Sequence, residues 1–374
     1  MALAILAAVL ACAGLAQAVA GYVAVRRFAA APRARSRPRP VTILKPLHGA
    51  EPLLEQALAS VCAQHYDDYQ IVFGVQHAAD PALAVVERLR ARFPERDIAV
   101  VVDATGHGSN HKVANLINML PAAKHDVLVI ADSDVHCPPD YLDRLVAALD
   151  TPGTGLVTTL YTGLAATPSL AGRLGATWIN FSFLAGALLA RWLGRQDCLG
   201  ATMALRRETL EAVGGLPALA DHLADDFFLG ALVREQGLAV RLADTVPATT
   251  VPEASLGELF RHELRWARTI RPLVPVQFAL SAVQYPLFWS ALAVLLAGAA
   301  VWPVGLFVAT WAVRASVAHG IDRALGLATR SSLWLLPLRD LMSVVVILVS
   351  HGGDRVEWRG QVLHATPRRR ASAT

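Results

Sequence analysis

The apolar positions of this chain fall into three regimes. Residues 2–25 form an almost unbroken apolar run with no charge before Arg26, and about 20 apolar residues suffice for a helix to cross a bilayer. From Val41 the pattern breaks into short segments. Apolar runs at 41–44, 69–75, 98–102, 127–131 and 155–159 predict buried strands, and helical spacing over 53–63, 81–93, 112–120 and 139–149 predicts helices between them. Such alternation predicts a mainly parallel α/β sheet covered on both faces, with ligands at the carboxyl ends of its strands. From Pro272 the chain is apolar again, with runs at 277–298, 301–318 and 333–350.

Composition and charge sharpen this picture. Hydrophobic residues make up 54% of the chain and charged residues 17%, against about 45–50% and about 25% in a soluble domain, and the excess sits at the two ends. The net charge of +4 is small for 374 residues, and no basic helix is interleaved with aromatics, so no nucleic-acid partner is expected. Basic residues gather beside the apolar ends, at Arg26, Arg27, Arg33, Arg35, Arg37, Arg39 and Arg368 to Arg370. Such clusters mark the cytoplasmic side of a membrane protein and attract anionic headgroups. No basic segment precedes the first apolar run, which favours an uncleaved anchor over a signal peptide despite the small residues Ala16-Gln17-Ala18. The four cysteines form no C-x-x-C pair, so neither a zinc site nor a redox motif is indicated, and free thiols suit a reducing compartment.

The expected layout follows: an N-terminal transmembrane anchor (1–25), a basic Pro/Arg linker (26–40), a cytoplasmic α/β domain (41–271), membrane helices (272–350) and a basic tail (351–374). Within the α/β block, 170–194 is expected to be an interfacial helix, because a crossing there would strand the following motifs on the wrong side. The stretch 333–350, interrupted by Arg339-Asp340, is expected to be re-entrant or interfacial. A full crossing would place Arg355, Arg359 and Arg368 to Arg370 outside.

Three short motifs carry chemistry, and each also has a bland reading. The apolar run 127–131 ends in Asp132-Ser133-Asp134. Two carboxylates at a strand end can hold Mg²⁺ or Mn²⁺ against a diphosphate, or can simply form an acidic turn. Asp225-Asp226 opens a helical pattern, where an acid suits the helix N-terminus or a general base that takes a proton from an attacking hydroxyl. His262, Arg265 and Trp266 share one side of a helix by their spacing. Arg suits phosphate and Trp suits stacking, but an interfacial Arg/Trp belt has the same composition.

The order of these motifs decides between the readings. A strand-end D-x-D, an acidic pair about ninety residues later and an R-W pair before apolar helices resemble the ceramide glucosyltransferase-like family of membrane glycosyltransferases, over essentially the whole chain. Val41 to Gly49, with Lys45-Pro46, resembles the family's opening strand and nucleotide-contacting loop. Gly74 to Pro81, with Asp80, resembles its first aspartate region, and Asn110-His-Lys112-Val-Ala-Asn115 its helix near the diphosphate. Gly200-Ala-Thr202-Met203 resembles the segment lining the acceptor site. Asp225-Asp226 matches the acidic pair that ends in the general base, and His262-x-x-Arg265-Trp266 matches the Q/R-x-x-R-W motif.

The resemblance implies a GT-A fold and an inverting single displacement. It implies a UDP-sugar donor held by Lys45, Pro46, Asp80, Lys112, Asp132, His262, Arg265 and Trp266, with Mg²⁺ or Mn²⁺ on Asp134 and Asp132. It further implies Asp226 as the base, Asp225, Gly200, Thr202 and Met203 near the acceptor, and a membrane-lipid acceptor drawn from the bilayer. The chain departs from the family pattern at His77, where an acid is frequent, and at His262, where Gln or Arg is. Within this family the chain resembles the bacterial members associated with hopanoid synthesis. They imply transfer of N-acetylglucosamine to a hopanoid polyol such as bacteriohopanetetrol at the inner (plasma) membrane, with the catalytic domain cytoplasmic. The other readings are glucosyl transfer to ceramide or diacylglycerol, a processive polysaccharide synthase, and a non-catalytic membrane scaffold.

Overall fold

The computed structural model of the chain describes residues 1–32, 37–298, 300–327, 333–358 and 361–364, with side chains as far as Arg355. Arg33, Arg35, Arg359 and Arg368 to Arg370 lie outside the described residues. The chain divides into two compact units, each assembled from separated stretches: Ala31–Ala166 with Gly194–Pro252, and Met1–Ala30 with Thr167–Leu193 and Glu253–Thr374.

The first unit is the α/β part. Its strands are β1 (Val41–Pro46), β2 (Tyr69–Val75), β3 (Asp97–Val102), β4 (Val127–Ala131), β5 (Val135–His136), β6 (Thr154–Thr158), β7 (Thr162–Ala165), β8 (Thr202–Arg206), β9 (Ala239–Leu242) and β10 (Ala248–Val251). Seven of them form one sheet in the order β3-β2-β1-β4-β8-β6-β9. All neighbours in it are parallel except β8, which runs antiparallel to β4 and β6. The five expected strands are present. β8 and β9 carried no clear strand signal, being short segments whose pairing is made only by distant partners.

Side chains alternate across the sheet, and both faces are covered, which explains the near-continuous apolar runs. Val41, Ile43, Ile71, Phe73 and Val129 pack with the helices Leu54–Cys62, Ala82–Arg92 and Tyr141–Leu149. Leu44, Val72, Leu128 and Ile130 pack with His111–Met119, Arg207–Ala212 and Asp225–Glu235. Gly74 is what lets His111–Met119 lie close to β2: an added Cβ would stand 2.3 Å from Met119 Sδ and 2.6 Å from Asn115 Oδ1. A second sheet, β5-β10-β7, folds across the end of β4.

The second unit is helical, with helices Ala2–Ala29, Leu170–Trp178, Leu184–Trp192, Leu256–Ile270, Pro275–Leu280, Pro286–Leu296, Val301–Leu325 and Leu336–Ser350. A strand pair, Arg355–Trp358 with Gln361–His364, follows. Among the described residues three helical stretches are long and apolar enough to cross a membrane: Ala2–Ala29, Val301–Leu325 and Leu333–Ser350. The stretch 170–194 is continuously helical from Leu170 to Trp192, with a π-helical turn at Ile179–Phe183 inside it. The apolar run 277–298 bends by 67° between Pro275–Gln284 and Pro286–Leu296, where Pro286 begins a new helix. Arg339-Asp340 does not interrupt Leu336–Ser350, because both charges are paired inside the unit. The first helix turns small residues inward, among them Ala4, Ala7, Ala11 and Gly14. This spacing lets helices in an apolar medium pack backbone to backbone.

Candidate active site

The site is built where β1, β2, β3 and β4 end and the antiparallel β8 begins. A carboxylate cannot remain in a dry sheet interior unpaired, so the run of β4 stops at Ala131 and Asp132-Ser133-Asp134 turns away. The turn is held on every side. Asp132 N–H donates to Ala201 O at 3.2 Å and Val135 N–H to Asp132 O at 3.3 Å. The Ser133 hydroxyl donates to Glu51 Oε2 at 2.5 Å. Thr249 Oγ1, on β10, donates to Asp134 Oδ2 at 2.5 Å.

Lys112 links this turn to the second acidic motif. Its Nζ lies 2.8 Å from Asp132 Oδ1 and 3.5 Å from Asp225 Oδ2. Two links aim it there. Asn110 caps the Lys112 helix by accepting from Val113 N–H at 3.1 Å, and its amide donates to His222 O at 2.8 Å. Asp225 and Asp226 open Asp225–Glu235, where the helix dipole favours acids. Gly200 packs flat against the Asp226 carboxyl, so that a Cβ there would stand 2.9 Å from Asp226 Oδ2.

Burial and mutual repulsion set the protonation of this cluster. Burial, reinforced by the charge of Asp225, pushes the Asp226 carboxyl up to about 7, against the opposing pull of Lys112. Burial and the neighbouring Asp132 push Asp134 up to about 6. Burial pulls the Lys112 ammonium down, but Asp132, Asp225 and Asp226 together outweigh it and hold it above its ordinary value. Lys112 is therefore a fixed cation between two acidic motifs, and Asp226 is a carboxyl poised to exchange a proton near neutrality.

Several expected contact residues turn out to support the site from behind. Lys45 is fully buried, and its ammonium donates to Asp132 O at 2.7 Å and Val135 O at 3.3 Å, bracing the acidic turn instead of facing a donor. Pro46 is buried at the end of β1. Asp80 accepts from Gly49 N–H at 3.0 Å and Ala82 N–H at 2.9 Å, so its carboxylate shapes the loop after β1. Thr202 is buried and shares a 2.8 Å hydrogen bond with Tyr141, and Met203 lies in the core. These two are corrected from acceptor lining to sheet interior, because β8 is a central strand. His77 is exposed.

His262, Arg265 and Trp266 belong to the helical unit, on Leu256–Ile270. The Trp266 ring stacks on Trp178 with centroids 5.6 Å apart, His262 leans on Trp266 at 4.3 Å, and the His262 imidazole is hydrogen-bonded to Glu253. Both rings thus have protein partners. Glu51 and Thr249 support the acidic turn without any signal in the local sequence, since Thr249 reaches Asp134 across 115 positions.

The sequence matches glycosyl transferase family 21 over residues 5–371. The chain belongs to this family. It is 21% identical over 251 residues to ceramide glucosyltransferase 1 of Caenorhabditis elegans, covering 65% of this chain and 52% of that protein. It is 36% identical over 115 residues to a ceramide glucosyltransferase of Komagataella phaffii, covering 29% of this chain and 22% of that protein. The chain thus spans about half the length of the first relative and about a fifth of the second. Among solved structures it is similar to a mannosyltransferase of Pyrobaculum calidifontis in complex with GDP-mannose and Mn²⁺. There the TM-score is 0.54 at 19% identity, covering 93% of this chain and 99% of that one. The α/β unit has the GT-A fold.

Proposed function

We propose that this family 21 protein is an inverting glycosyltransferase that moves a sugar from a UDP-sugar to a hydroxyl of a membrane lipid. The observation that carries the reading is the cluster at the sheet edge: an acidic turn, a lysine bridging it to an acidic pair, and a carboxyl pushed up to about 7. Asp226 takes the proton as the lipid oxygen attacks the anomeric carbon. The bond from that carbon to the diphosphate breaks on the opposite face, inverting the centre. Lys112 supplies positive charge beside the leaving UDP, and the family motif assigns a similar role to Arg265. A general base contributes about 10²–10⁴-fold.

Asp132 and Asp134 would hold a divalent cation. Among the described residues no three His, Cys, Asp or Glu side chains are grouped to hold a metal. Two carboxylates still fit Mg²⁺ or Mn²⁺, which take hard oxygen ligands and complete their shells with water and phosphate. Burial and the neighbouring Asp132 raise Asp134, and a bound cation would offset both. When bound, such an ion neutralises charge on a departing diphosphate.

For the acceptor, we take a hopanoid polyol receiving N-acetylglucosamine at the bacterial inner membrane, with the α/β unit cytoplasmic. The named relatives support a second reading, in which ceramide accepts glucose. Membranes carrying the protein, incubated with several UDP-sugars and lipid extracts, are expected to yield one glycolipid with a single added sugar by mass spectrometry. A polymeric product, or no sugar transfer to lipid, would overturn the proposal.

A further inference from the structure

Among the described residues of the helical unit, and apart from Glu253 beside His262, four charged side chains are almost completely buried: Glu263, Arg314, Arg339 and Asp340. Charges in apolar surroundings are tolerated when paired, and they mark functional positions more often than stabilising ones. Here they form a neutral set, two acids and two bases, joined through consecutive residues of one helix. Arg339 Nη1 and Nη2 donate to Glu263 Oε1 and Oε2, both at 2.7 Å. Arg339 is itself fixed by Ser343, one turn on, whose Oγ accepts at 3.2 and 3.0 Å. Asp340 points elsewhere: it accepts from Leu287 N–H at 3.0 Å in the first turn of Pro286–Leu296 and lies 3.5 Å from Arg314. Arg314 donates to Phe181 O at 3.3 Å, a carbonyl of the π-helical turn.

Glu263 has a particular place on its helix. The buried residues of Leu256–Ile270 are Leu259, Glu263 and Ala267, spaced by four. A carboxylate therefore sits at the centre of the inward stripe, where an apolar residue would be expected. Arg265 is two positions on, about 200° round the helix from Glu263. The far end of the same helix is tied to the same neighbouring segment: Arg271 donates to Ser350 O and Gly353 O, and Arg268 to Arg355 O. A bidentate Arg–carboxylate fork has one good geometry, whereas an apolar contact in its place would permit rotation and slip. Replacing a buried ion pair by apolar residues is often neutral or stabilising, so stability alone gives no reason for the pair.

We infer that Glu263 and Arg339 are positioning residues. Their fork sets the rotation and register of Leu256–Ile270, and thereby the face of that helix on which Arg265 stands. The inference rests on the proposed donor role of Arg265.

The test uses the full chain in lipid, with four variants: Arg265→Ala, the apolar pair Glu263→Met/Arg339→Leu, those three changes together, and the reversed pair Glu263→Arg/Arg339→Glu. Thermal midpoint and donor KM are read for each. The apolar pair is expected to keep or raise the midpoint yet raise donor KM about tenfold or more. Arg265→Ala should do the same to KM, and combining the two should add little, since coupled residues are non-additive. A merely structural pair would leave KM unmoved. If the apolar pair keeps the wild-type KM while Arg265→Ala raises it, the positioning role is overturned and the donor reading stands. If Arg265→Ala leaves KM unchanged, both fall. Should the apolar pair not fold, the reversed pair decides: KM within a few-fold of wild type supports the fork, and KM as poor as that of Arg265→Ala refutes it.

Discussion

At the scale of single residues, the environment of Asp226, the proposed base, has two measurable consequences. Asp226→Asn preserves size and hydrogen bonding but cannot accept a proton. Turnover is expected to fall by about 10²–10⁴-fold while UDP-sugar affinity stays near wild type in a binding assay; a variant within tenfold of wild-type turnover would remove Asp226 from the base role. The second consequence concerns pH. A base must be ionised, and burial with Asp225 lifts this carboxyl to about 7, so kcat/KM is expected to rise between about pH 6 and pH 8 and then level. The stability sign is opposite. A carboxyl raised in the folded state favours folding below its ordinary pKa, and that contribution is lost as pH rises through about 7. Asp226→Asn is therefore expected to raise the thermal midpoint relative to wild type at pH 8, with no comparable gain at pH 4. The motif was legible in the sequence as an acidic pair. Its raised pKa was not, because that depends first on burial, which outweighs the opposing pull of Lys112, and neither is written in the neighbouring residues.

At the scale of elements, the acidic turn after β4 is held by residues of β1, of the loop after it, of β10 and of the helix His111–Met119. The apolar run of β4 predicted both the strand and its abrupt end at Asp132. The bracing was invisible: Lys45 comes from β1, Glu51 from the loop after it, and Thr249 from β10. The family resemblance implies ligand contacts for Lys45 and Asp80, whereas here the Lys45 ammonium is held by the acidic turn and the Asp80 carboxylate by backbone N–H groups of Gly49 and Ala82. The approach of Gly200, just before β8, to the helix Asp225–Glu235 is equally close. Gly200→Ala would place a methyl 2.9 Å from Asp226 Oδ2, tighter than ordinary contact, so the carboxyl must shift. Misplacement of a reacting group by about 1 Å can cost about 10²-fold. This variant is expected to lose at least tenfold in kcat with its donor affinity retained, read by steady-state kinetics beside UDP binding, and wild-type kcat would show the contact to be inconsequential.

At the scale of the whole molecule, the chain is interleaved: it leaves the α/β unit after Ala166, re-enters it at Gly194 and leaves again after Pro252. The first helix is a packed member of the helical unit as well as a candidate span. Gly14 lies against the backbone of Val283, and a Cβ there would stand 2.2 Å from its carbonyl oxygen. Gly14→Leu is expected to lower the yield of folded protein in detergent by size exclusion and to reduce its thermal midpoint; an unchanged midpoint would mean that this helix serves only as a tether. The sequence by itself determined the alternating α/β block, the apolar ends, the D-x-D turn and the acidic pair, because each is written in local periodicity or in adjacent residues. Only the tertiary structure decided that Lys112 bridges the two acidic motifs, that Asp226 is poised near neutrality, and that 167–193 and 253–271 group with the terminal helices. It also decided that Arg339-Asp340 leaves its helix unbroken. Those outcomes depend on burial and on charges brought together from positions tens to hundreds of residues apart, which no local pattern records.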